Sequence, residues 1–383
     1  MIPYGRQDIS QSDIDAVVDV LKSDFLTQGP VVPRFETELA ALVEASFATA
    51  VNSATSALHI ACAALGLSKG DWLWTVPNTF VASANCGLYC GAKIDFVDID
   101  PVSFNMSVSA LEAKLVQAKA SGTLPKVVIP VHFSGQPCDM KAIGALASEY
   151  GFRVIEDASH AIGASYQGTP TGACEHSDIT VFSFHPVKII TTGEGGVATT
   201  NDPELDQKMK LLRSHGVTRD PALMQGASDG QWYYQQVALG WNYRMTEMQA
   251  ALGVSQLPRL ADFIARRHTI ADRYDDAFKG APITRPVRHA DRYSALHLYV
   301  IQVDDASIHS AVFDELRAKG IGVNLHYIPV HLQPFYKDMG FANGDFPAAE
   351  NYYSRAISIP MYPGLTDSDQ DTVIAAVLEA VHG

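Results

Sequence analysis

Positive charge is scarce in this sequence. Its 383 residues hold 28 Lys and Arg against 42 Asp and Glu, which gives a formal net charge of −14. The basic residues are scattered along the chain, which argues against a surface for nucleic acid or for an anionic membrane. A ligand that carries phosphate would therefore need a local cradle of hydrogen-bond donors.

Cysteines are few, and long apolar runs are absent. The five cysteines include no C-x-x-C pair and are odd in number, so we expect reduced thiols. Cys86 and Cys90 stand four residues apart on a predicted helix, but no second ligand pair follows, which predicts core packing and no metal site. With no run of eighteen apolar residues and no signal-peptide pattern in MIPYGRQDIS, we expect a cytoplasmic protein without a membrane span.

The order of the apolar runs predicts an α/β protein. From about residue 49, short β-branched runs alternate with helical ones, and this βα texture predicts a mostly parallel sheet covered by helices. Further strands are predicted at 126–133, 153–159, 178–184 and 195–200. Ligands of such sheets bind at the carboxyl ends of the strands.

The length of the chain predicts two domains. We place the boundary after residue 255, so that a large domain, 1–255, precedes a small α+β domain, 256–383. The small domain is predicted to hold strands at 297–303 and 322–330 and helices at 307–320, 347–356 and 366–381. The first thirty residues lie outside the βα alternation and could pack across either domain or line a site.

A lysine follows one of the most apolar strands. In DITVFSFHPVKIITTGEGGVATT, Lys188 stands in a polar turn just beyond the strand. Most lysines are solvated surface residues, and that interpretation stays open here. An amine beside an apolar sheet end, however, loses its proton more easily and can attack an aldehyde, as a Schiff-base lysine does.

An aspartate stands at the predicted carboxyl end of another strand, in RVIEDASHA. Asp157 could cap a following helix, which is a common position for this residue type. Alternatively, its carboxylate could pair with a protonated pyridine nitrogen, as in pyridoxal enzymes. Because Asp157 and Lys188 follow different strands of one predicted sheet, they can converge on one ligand.

Two further segments could contribute to such a site. AVNSATSALHI predicts a strand, a turn and a helix whose first turn, with Thr55 and Ser56, could bind an anion, although plain N-capping is an alternative. Ser183 could add another hydroxyl group. In TVPNTFVASAN, Phe80 could stack on a flat ring or could simply belong to the core.

These motifs together resemble a known family. NSATSAL, PNTFVASAN, EDASHAIG, FSFHPVKIITTGEGG and LGWNYRMTEMQAALG follow one another in the order found in the DegT/DnrJ/EryC1/StrS family of sugar aminotransferases. The resemblance extends to about residue 260 and, more loosely, through HYIPVHLQPFY to the end. It implies the aminotransferase type I fold, pyridoxal 5'-phosphate (PLP) as cofactor, and a homodimer with its cofactor sites at the subunit interface.

The resemblance also implies roles for individual residues. Lys188 matches the lysine that bonds the cofactor and then shuttles a proton. Asp157 matches the partner of the pyridine nitrogen, and His160 a residue near the ring. The other implied cofactor contacts are a stacking aromatic, three phosphate-binding hydroxyl residues and an asparagine from the neighbouring subunit: Phe80, Thr55, Ser56, Ser183 and Asn242.

In finer detail, DFLTQGP, FSFHPVK followed by ITTGEGG, and HYIPVH are most similar to the UDP-4-amino-4,6-dideoxy-N-acetyl-β-L-altrosamine transaminases of the pseudaminic acid pathway. That similarity implies transfer from L-glutamate to C4 of a UDP-linked 4-keto-6-deoxy-N-acetylhexose. Many relatives have Asn where this chain has Ile189, which weakens any transfer of acceptor contacts from them. The implied sugar-nucleotide residues are Tyr4, Leu26, Thr27, Gln28, His185, His326 and Tyr327.

Several alternatives remain at this stage. A member of the same family could act on a dTDP-linked or GDP-linked keto-sugar. A related branch removes a sugar hydroxyl, but it typically has His at the position of Lys188. A regulatory protein could keep the fold without turnover, although it would need neither Lys188 nor Asp157. An NAD-dependent enzyme would need a G-x-G-x-x-G turn where this chain has NSATSAL.

Overall fold

The structure is a computed structural model that describes residues 1–382. Its helices are α1 (Gln11–Leu21), α2 (Val31–Leu42), α3 (Ala54–Ala64), α4 (Ala82–Tyr89), α5 (Val108–Ser121), α6 (Met140–Tyr150), α7 (Pro203–Leu212), α8 (Glu247–Gln256), α9 (Leu260–Ala277), α10 (His309–Ala318), α11 (Pro334–Lys337), α12 (Pro347–Tyr353) and α13 (Asp367–His382). Its strands are β1 (Phe47–Val51), β2 (Trp72–Thr75), β3 (Lys93–Phe96), β4 (Val127–Ile129), β5 (Arg153–Asp157), β6 (Ser165–Tyr166), β7 (Thr169–Pro170), β8 (Ile179–Ser183), β9 (Gly196–Thr200), β10 (Val217–Thr218), β11 (Gln235–Gln236), β12 (Ile283–Thr284), β13 (Arg292–Tyr293), β14 (Tyr299–Val303) and β15 (Ala356–Ile359).

A seven-stranded sheet forms the centre of the N-terminal part of the chain, in the order β1-β9-β8-β5-β4-β2-β3. Strands β3, β2, β4, β5 and β8 are parallel to one another. Strand β9 is antiparallel to both of its neighbours, β8 and the edge strand β1. Central strands such as β4 and β8 are buried along their whole length, which explains their continuous apolar sequence. Because Asp157 of β5 pairs with Val181 of the parallel strand β8, the carboxyl ends of β5 and β8 lie at the same edge of the sheet.

Helices cover both faces of this sheet. The larger core packs α3, α4, α5 and α6 against the sheet around Trp74 and Phe96. A second core lies between the sheet, α2 and α8 and is centred on Phe35, Phe182 and Phe184. The predicted α/β fold with a mostly parallel sheet is confirmed. Among the helices of residues 1–382, none is both long enough and apolar enough to cross a membrane.

The C-terminal part has its own core and a small antiparallel sheet, β12-β14-β15. The strand predicted at 322–330 is wrong, because the structure shows only an isolated bridge there, between Asn324 and Ser358. Strand β14 pairs instead with β15, a strand that was not predicted from the sequence. Pro329 has no N–H to donate to a ladder, and His326 and Tyr327 line a cavity, so the segment bends away from the sheet.

The predicted domain boundary falls at the end of α8 and stays a prediction. A 3-10 turn at Leu257–Arg259 joins α8 to α9 there. The N-terminal segment contacts both parts of the chain. Ile2 pairs with Ile321 of the C-terminal part, whereas the buried Asp13 of α1 accepts a hydrogen bond from Ser255, which lies before the predicted boundary.

Candidate active site

A cavity of about 760 Å³ opens at the carboxyl ends of β5 and β8. This volume lies within the range of small-molecule sites, and its position is where open α/β sheets bind ligands. The C-terminal part of the chain contributes His297, His326 and Tyr327 to the lining. Of the residues selected from the sequence, those that line the cavity are Tyr4, Thr55, Ser56, Phe80, Asp157, His160, Ser183, His185, Lys188, His326 and Tyr327.

Lys188 stands in the turn between β8 and β9, and its backbone N–H donates to the carbonyl of His185 at 2.9 Å. The side chain lines the cavity, so it is not an ordinary surface lysine. Burial lowers the pKa of its amine to about 8, although the negative charge of Asp157 acts in the opposite direction. A substantial fraction of the amine is therefore neutral near pH 7–8 and can act as a nucleophile or a base.

The lowered pKa of Lys188 predicts a pH profile for cofactor capture. Only the neutral amine attacks an aldehyde, so we expect the rate at which cofactor-free protein captures PLP to rise through about pH 8 and then level off. Stopped-flow absorbance would measure this rate, with the Lys188→Ala protein as the background. A midpoint near 10.5, the ordinary lysine value, would contradict the effect of burial.

Asp157 ends β5 and is almost completely buried. The side chain of Ser83 donates to its Oδ2 at 2.6 Å, and both the hydroxyl and the backbone N–H of Ser159 donate to its Oδ1, at 2.6 and 3.1 Å. The helix-cap interpretation is wrong, because turns and the short strands β6 and β7 follow Asp157 in the described chain. These three hydrogen bonds hold the carboxylate in place where it lines the cavity.

The start of α3 is a candidate anion cradle. Ser53 is the N-cap residue, and its Oγ accepts from the N–H of Ser56 at 3.1 Å. The first N–H groups of any helix lack intrahelical partners and face outward with a favourable dipole. A Cβ atom at Gly196 would lie 2.5 Å from the backbone N of Ala54, so only glycine lets β9 approach this helix start.

Two ring-shaped groups flank the cavity. Phe80 stands before α4 with 58% of its surface exposed, so it is not a core residue. His160 is buried, and its Nε2 lies 3.1 Å from the Tyr327 hydroxyl, while its Nδ1 has no partner within residues 1–382. Burial, followed by the positive charge of Lys188, holds the pKa of His160 well below its usual range. His160 is therefore a neutral group that can bond a ligand.

Four predicted site residues do not line the cavity of their own chain: Leu26, Thr27, Gln28 and Asn242. All four are exposed. The carbonyl of Leu26 accepts from the N–H of Glu247 at 3.0 Å, which places this segment at the start of α8. Asn242 forms a bridge with Ser214. Any contact of these residues with a ligand would have to be made in the site of another subunit.

The structure adds cavity residues that the sequence analysis missed. They are polar or titratable residues from several segments: Asn52, Ser53, Thr79, Ser83, Ser159, Glu194, Gln249 and His297. His297 is the least predictable, because it precedes β14 in a small-domain segment with no cofactor motif. The buried Arg267 of α9 donates to its carbonyl at 3.1 Å. The ring of His297 lies 4.4 Å from that of His160.

These groups fit PLP. The amine of Lys188 suits an aldehyde, the carboxylate of Asp157 suits a protonated pyridine nitrogen, and the α3 cradle suits a phosphate. The unpartnered Nδ1 of His160 adds a buried polar atom that still needs a partner. All of them face one cavity.

Comparison with known proteins identifies relatives over the whole chain. The spore coat polysaccharide biosynthesis protein SpsC of Bacillus subtilis is 42% identical over 391 residues, covering 100% of this chain and 97% of its own. The UDP-4-amino-4,6-dideoxy-N-acetyl-beta-L-altrosamine transaminase of Campylobacter jejuni is 37% identical over 388 residues, covering 100% and 98%.

Solved structures agree with this grouping. PseC of Helicobacter pylori, an aminotransferase of pseudaminic acid biosynthesis, superimposes with a TM-score of 0.91 at 30% identity and covers 100% of this chain and 99% of its own. Spr1654 of Streptococcus pneumoniae, solved in its PMP form, gives the same TM-score, identity and coverage. The model of the DegT/DnrJ/EryC1/StrS aminotransferase family matches residues 7–378. The chain therefore belongs to this family and is a PLP-dependent sugar aminotransferase.

Proposed function

We propose that the protein transfers the amino group of L-glutamate to C4 of a UDP-linked 4-keto-6-deoxy-N-acetylhexose. The products are a 4-amino nucleotide sugar and 2-oxoglutarate. The observation that carries the chemistry is the convergence of Lys188 and Asp157 on one cavity from the ends of neighbouring strands. The Campylobacter transaminase and PseC support the choice of sugar.

Each cofactor residue has a task in this proposal. Bound PLP supplies an aldehyde that receives the amino group and a ring that accepts electrons. The Nζ of Lys188 would move the proton from Cα of the amino donor to the cofactor carbon that receives the nitrogen, and in the second half-reaction from that carbon to C4 of the sugar. Asp157 keeps the proton on the ring nitrogen. Phe80 stacks on one face of the ring, and His160 bonds its edge.

The phosphate and the sugar are assigned to different groups of cavity residues in this proposal. Thr55 and Ser56 of α3, with Ser183, would hold the phosphate through hydroxyl and N–H donors. Tyr4, His185, His326 and Tyr327, which also line the cavity, would bind the sugar nucleotide. Burial, followed by the charge of Lys188, lowers the pKa of His326 to about 4, so His326 presents a neutral ring to a sugar hydroxyl or carbonyl.

The substrate proposal is tested in two half-reactions. PLP-loaded protein is first mixed with L-glutamate, and we expect the cofactor to convert to its amine form while 2-oxoglutarate appears. The aminated protein is then offered UDP-, dTDP- and GDP-linked 4-keto sugars, with kcat/KM as the measure, and the UDP-linked N-acetyl sugar is expected to be preferred. Preference for another nucleotide would overturn the sugar assignment alone. No conversion with glutamate or any other amino donor would overturn transamination itself.

We also propose a homodimer in which each subunit completes its partner's site. Asn242 and the segment 26–28 are exposed and lie outside their own cavity, although they match family site positions. Asn242 follows a stretch with large exposed apolar side chains, since Trp232 is 72% and Leu239 is 79% exposed. Apolar surface of this kind is typical of a protein interface.

Mixing two defective variants tests the shared site. Lys188→Ala and Asn242→Ala homodimers are each expected to be weakly active or inactive. After subunit exchange in a 1:1 mixture, half of the dimers carry one intact site, so about one quarter of the wild-type activity should return. Activity that stays at the mean of the two separate variants would show that Asn242 serves its own subunit or none.

A further inference from the structure

Ser83 and Ser159 hold the two oxygens of Asp157 in unequal ways. A carboxylate offers about four acceptor positions, two on each oxygen. The hydroxyl and the N–H of Ser159 occupy both positions on Oδ1. Ser83 occupies only one position on Oδ2. The remaining acceptor position of the carboxylate is therefore on Oδ2, the oxygen bonded by Ser83.

Ser83 is itself polarised by a second hydroxyl. An ionised carboxylate only accepts, so the single proton of Ser83 points to Asp157 at 2.6 Å. The Thr79 hydroxyl, 2.9 Å from Ser83 Oγ, must then be the donor in that contact. Thr79 and Ser83 are 3% and 1% exposed, so water does not compete with this chain of donors.

The same turn also positions Phe80. This residue lies between Thr79 and Ser83, and its carbonyl accepts from the N–H of Ser83 at 3.2 Å. The stacking ring and the donor to Asp157 thus belong to one turn at the start of α4. A change in this turn would therefore affect two contacts of a bound pyridine ring at once: stacking of Phe80 on its face and, through Ser83, the bond of Asp157 to its nitrogen.

We propose that Thr79 and Ser83 are positioning residues that set the strength of the bond between Asp157 Oδ2 and the pyridine nitrogen of PLP. The proposal rests on the proposed role of Asp157. Without the hydrogen bond from Ser83, Oδ2 is more basic, and the proton shared with the ring nitrogen shifts toward Oδ2. The carboxylate and the ring then lose their opposite charges. The ring accepts electrons less well, and the bond that retains the cofactor is no longer charge-assisted and is weaker.

The test compares Ser83→Ala with Ser159→Ala and uses no sugar substrate. The ¹⁵N resonance of PLP labelled at the ring nitrogen is expected to move from the protonated toward the neutral pyridine range in Ser83→Ala. The dissociation constant of PLP is expected to rise about tenfold, because the charge-assisted bond between Asp157 and the ring nitrogen is weakened. Ser159→Ala should shift both quantities less, because it acts on Oδ1. Ser148→Ala, on the exposed side of α6, serves as the control.

An unchanged resonance and affinity in Ser83→Ala, or an equal effect of Ser159→Ala, would overturn the proposal. If Ser83→Ala does not fold, Thr79→Val replaces it, because this variant keeps the shape and the Ser83 contact but removes the donor to Ser83. A smaller shift in the same direction is expected, and no shift counts against the proposal. Wild-type protein that binds PLP but aminates no sugar would overturn the proposed function and leave this comparison intact.

Discussion

Replacing Lys188 by alanine is expected to lower kcat for the glutamate half-reaction about 10⁴-fold, the upper range for loss of a general acid–base group. The variant loses both the amine that bonds the cofactor and the base that moves the Cα proton, since Lys188 is the lysine that lines the cavity in residues 1–382. The measurement is the rate of cofactor absorbance change after mixing with L-glutamate. Borohydride should fix PLP to the peptide containing FSFHPVK in wild-type protein and not in the variant.

Lys208→Ala is the matched control, because its lysine is exposed on α7 and pairs only loosely with Glu204. This variant should behave as wild type. Comparable loss of activity in both variants would point to general damage to the protein. Nearly full activity of Lys188→Ala would mean that another group moves the proton, and the role of Lys188 would have to be abandoned.

Replacing Asp157 by asparagine is expected to lower kcat/KM about 10²–10³-fold, the range measured when one preorganised electrostatic contact is removed from an active site. The amide keeps the shape of the side chain and can still bond Ser83 and Ser159, so the fold should persist. It carries no charge to hold a proton on the ring nitrogen. We expect kcat to fall more than KM rises, because the missing charge acts on the electrons of the reacting ring.

Asp262→Asn, on the exposed side of α9, is the control for charge removal. The melting temperature of each variant separates lost chemistry from lost stability. A purely structural Asp157 would give a lower melting temperature with kcat preserved in the folded fraction. That result would exclude its pairing with the cofactor.

The sequence predicted the parts of the site that adjoin the central strands. Lys188 and Asp157 follow β8 and β5, whose apolar runs were recognisable, and the parallel arrangement brings such strand ends together. The serine-rich turn before α3 was found for the same reason, because strand, turn and helix occur within eleven residues. The local sequence pattern was sufficient to predict these residues, because the βα order itself determines which strand ends lie next to each other.

Other predictions failed or stay open because they depend on distant parts of the chain. The run at 322–330 has strand-like composition, but it bends toward the cavity, and β15 takes the place beside β14. His297 lies at the site in a segment that is held from elsewhere in the chain, since Arg267 of α9 donates to its carbonyl. The proposed role of Asn242 needs a second subunit, which only the proposed homodimer supplies. Such contacts form only when distant segments pack together, so they cannot be predicted from the periodicity of a local segment.

The sequence by itself determined the α/β class, the family, and the choice of Lys188 and Asp157 as candidate site residues. These follow from the spacing of short apolar runs and from motifs that lie within single turns. Only the tertiary structure decided how the pair is supported. It placed Ser83 against Oδ2 of Asp157 across 74 residues of chain, and it enclosed His160 between Tyr327 and His297. The physical reason is that backbone geometry fixes local structure within a few residues, whereas burial and hydrogen bonding between remote residues exist only after the chain has packed.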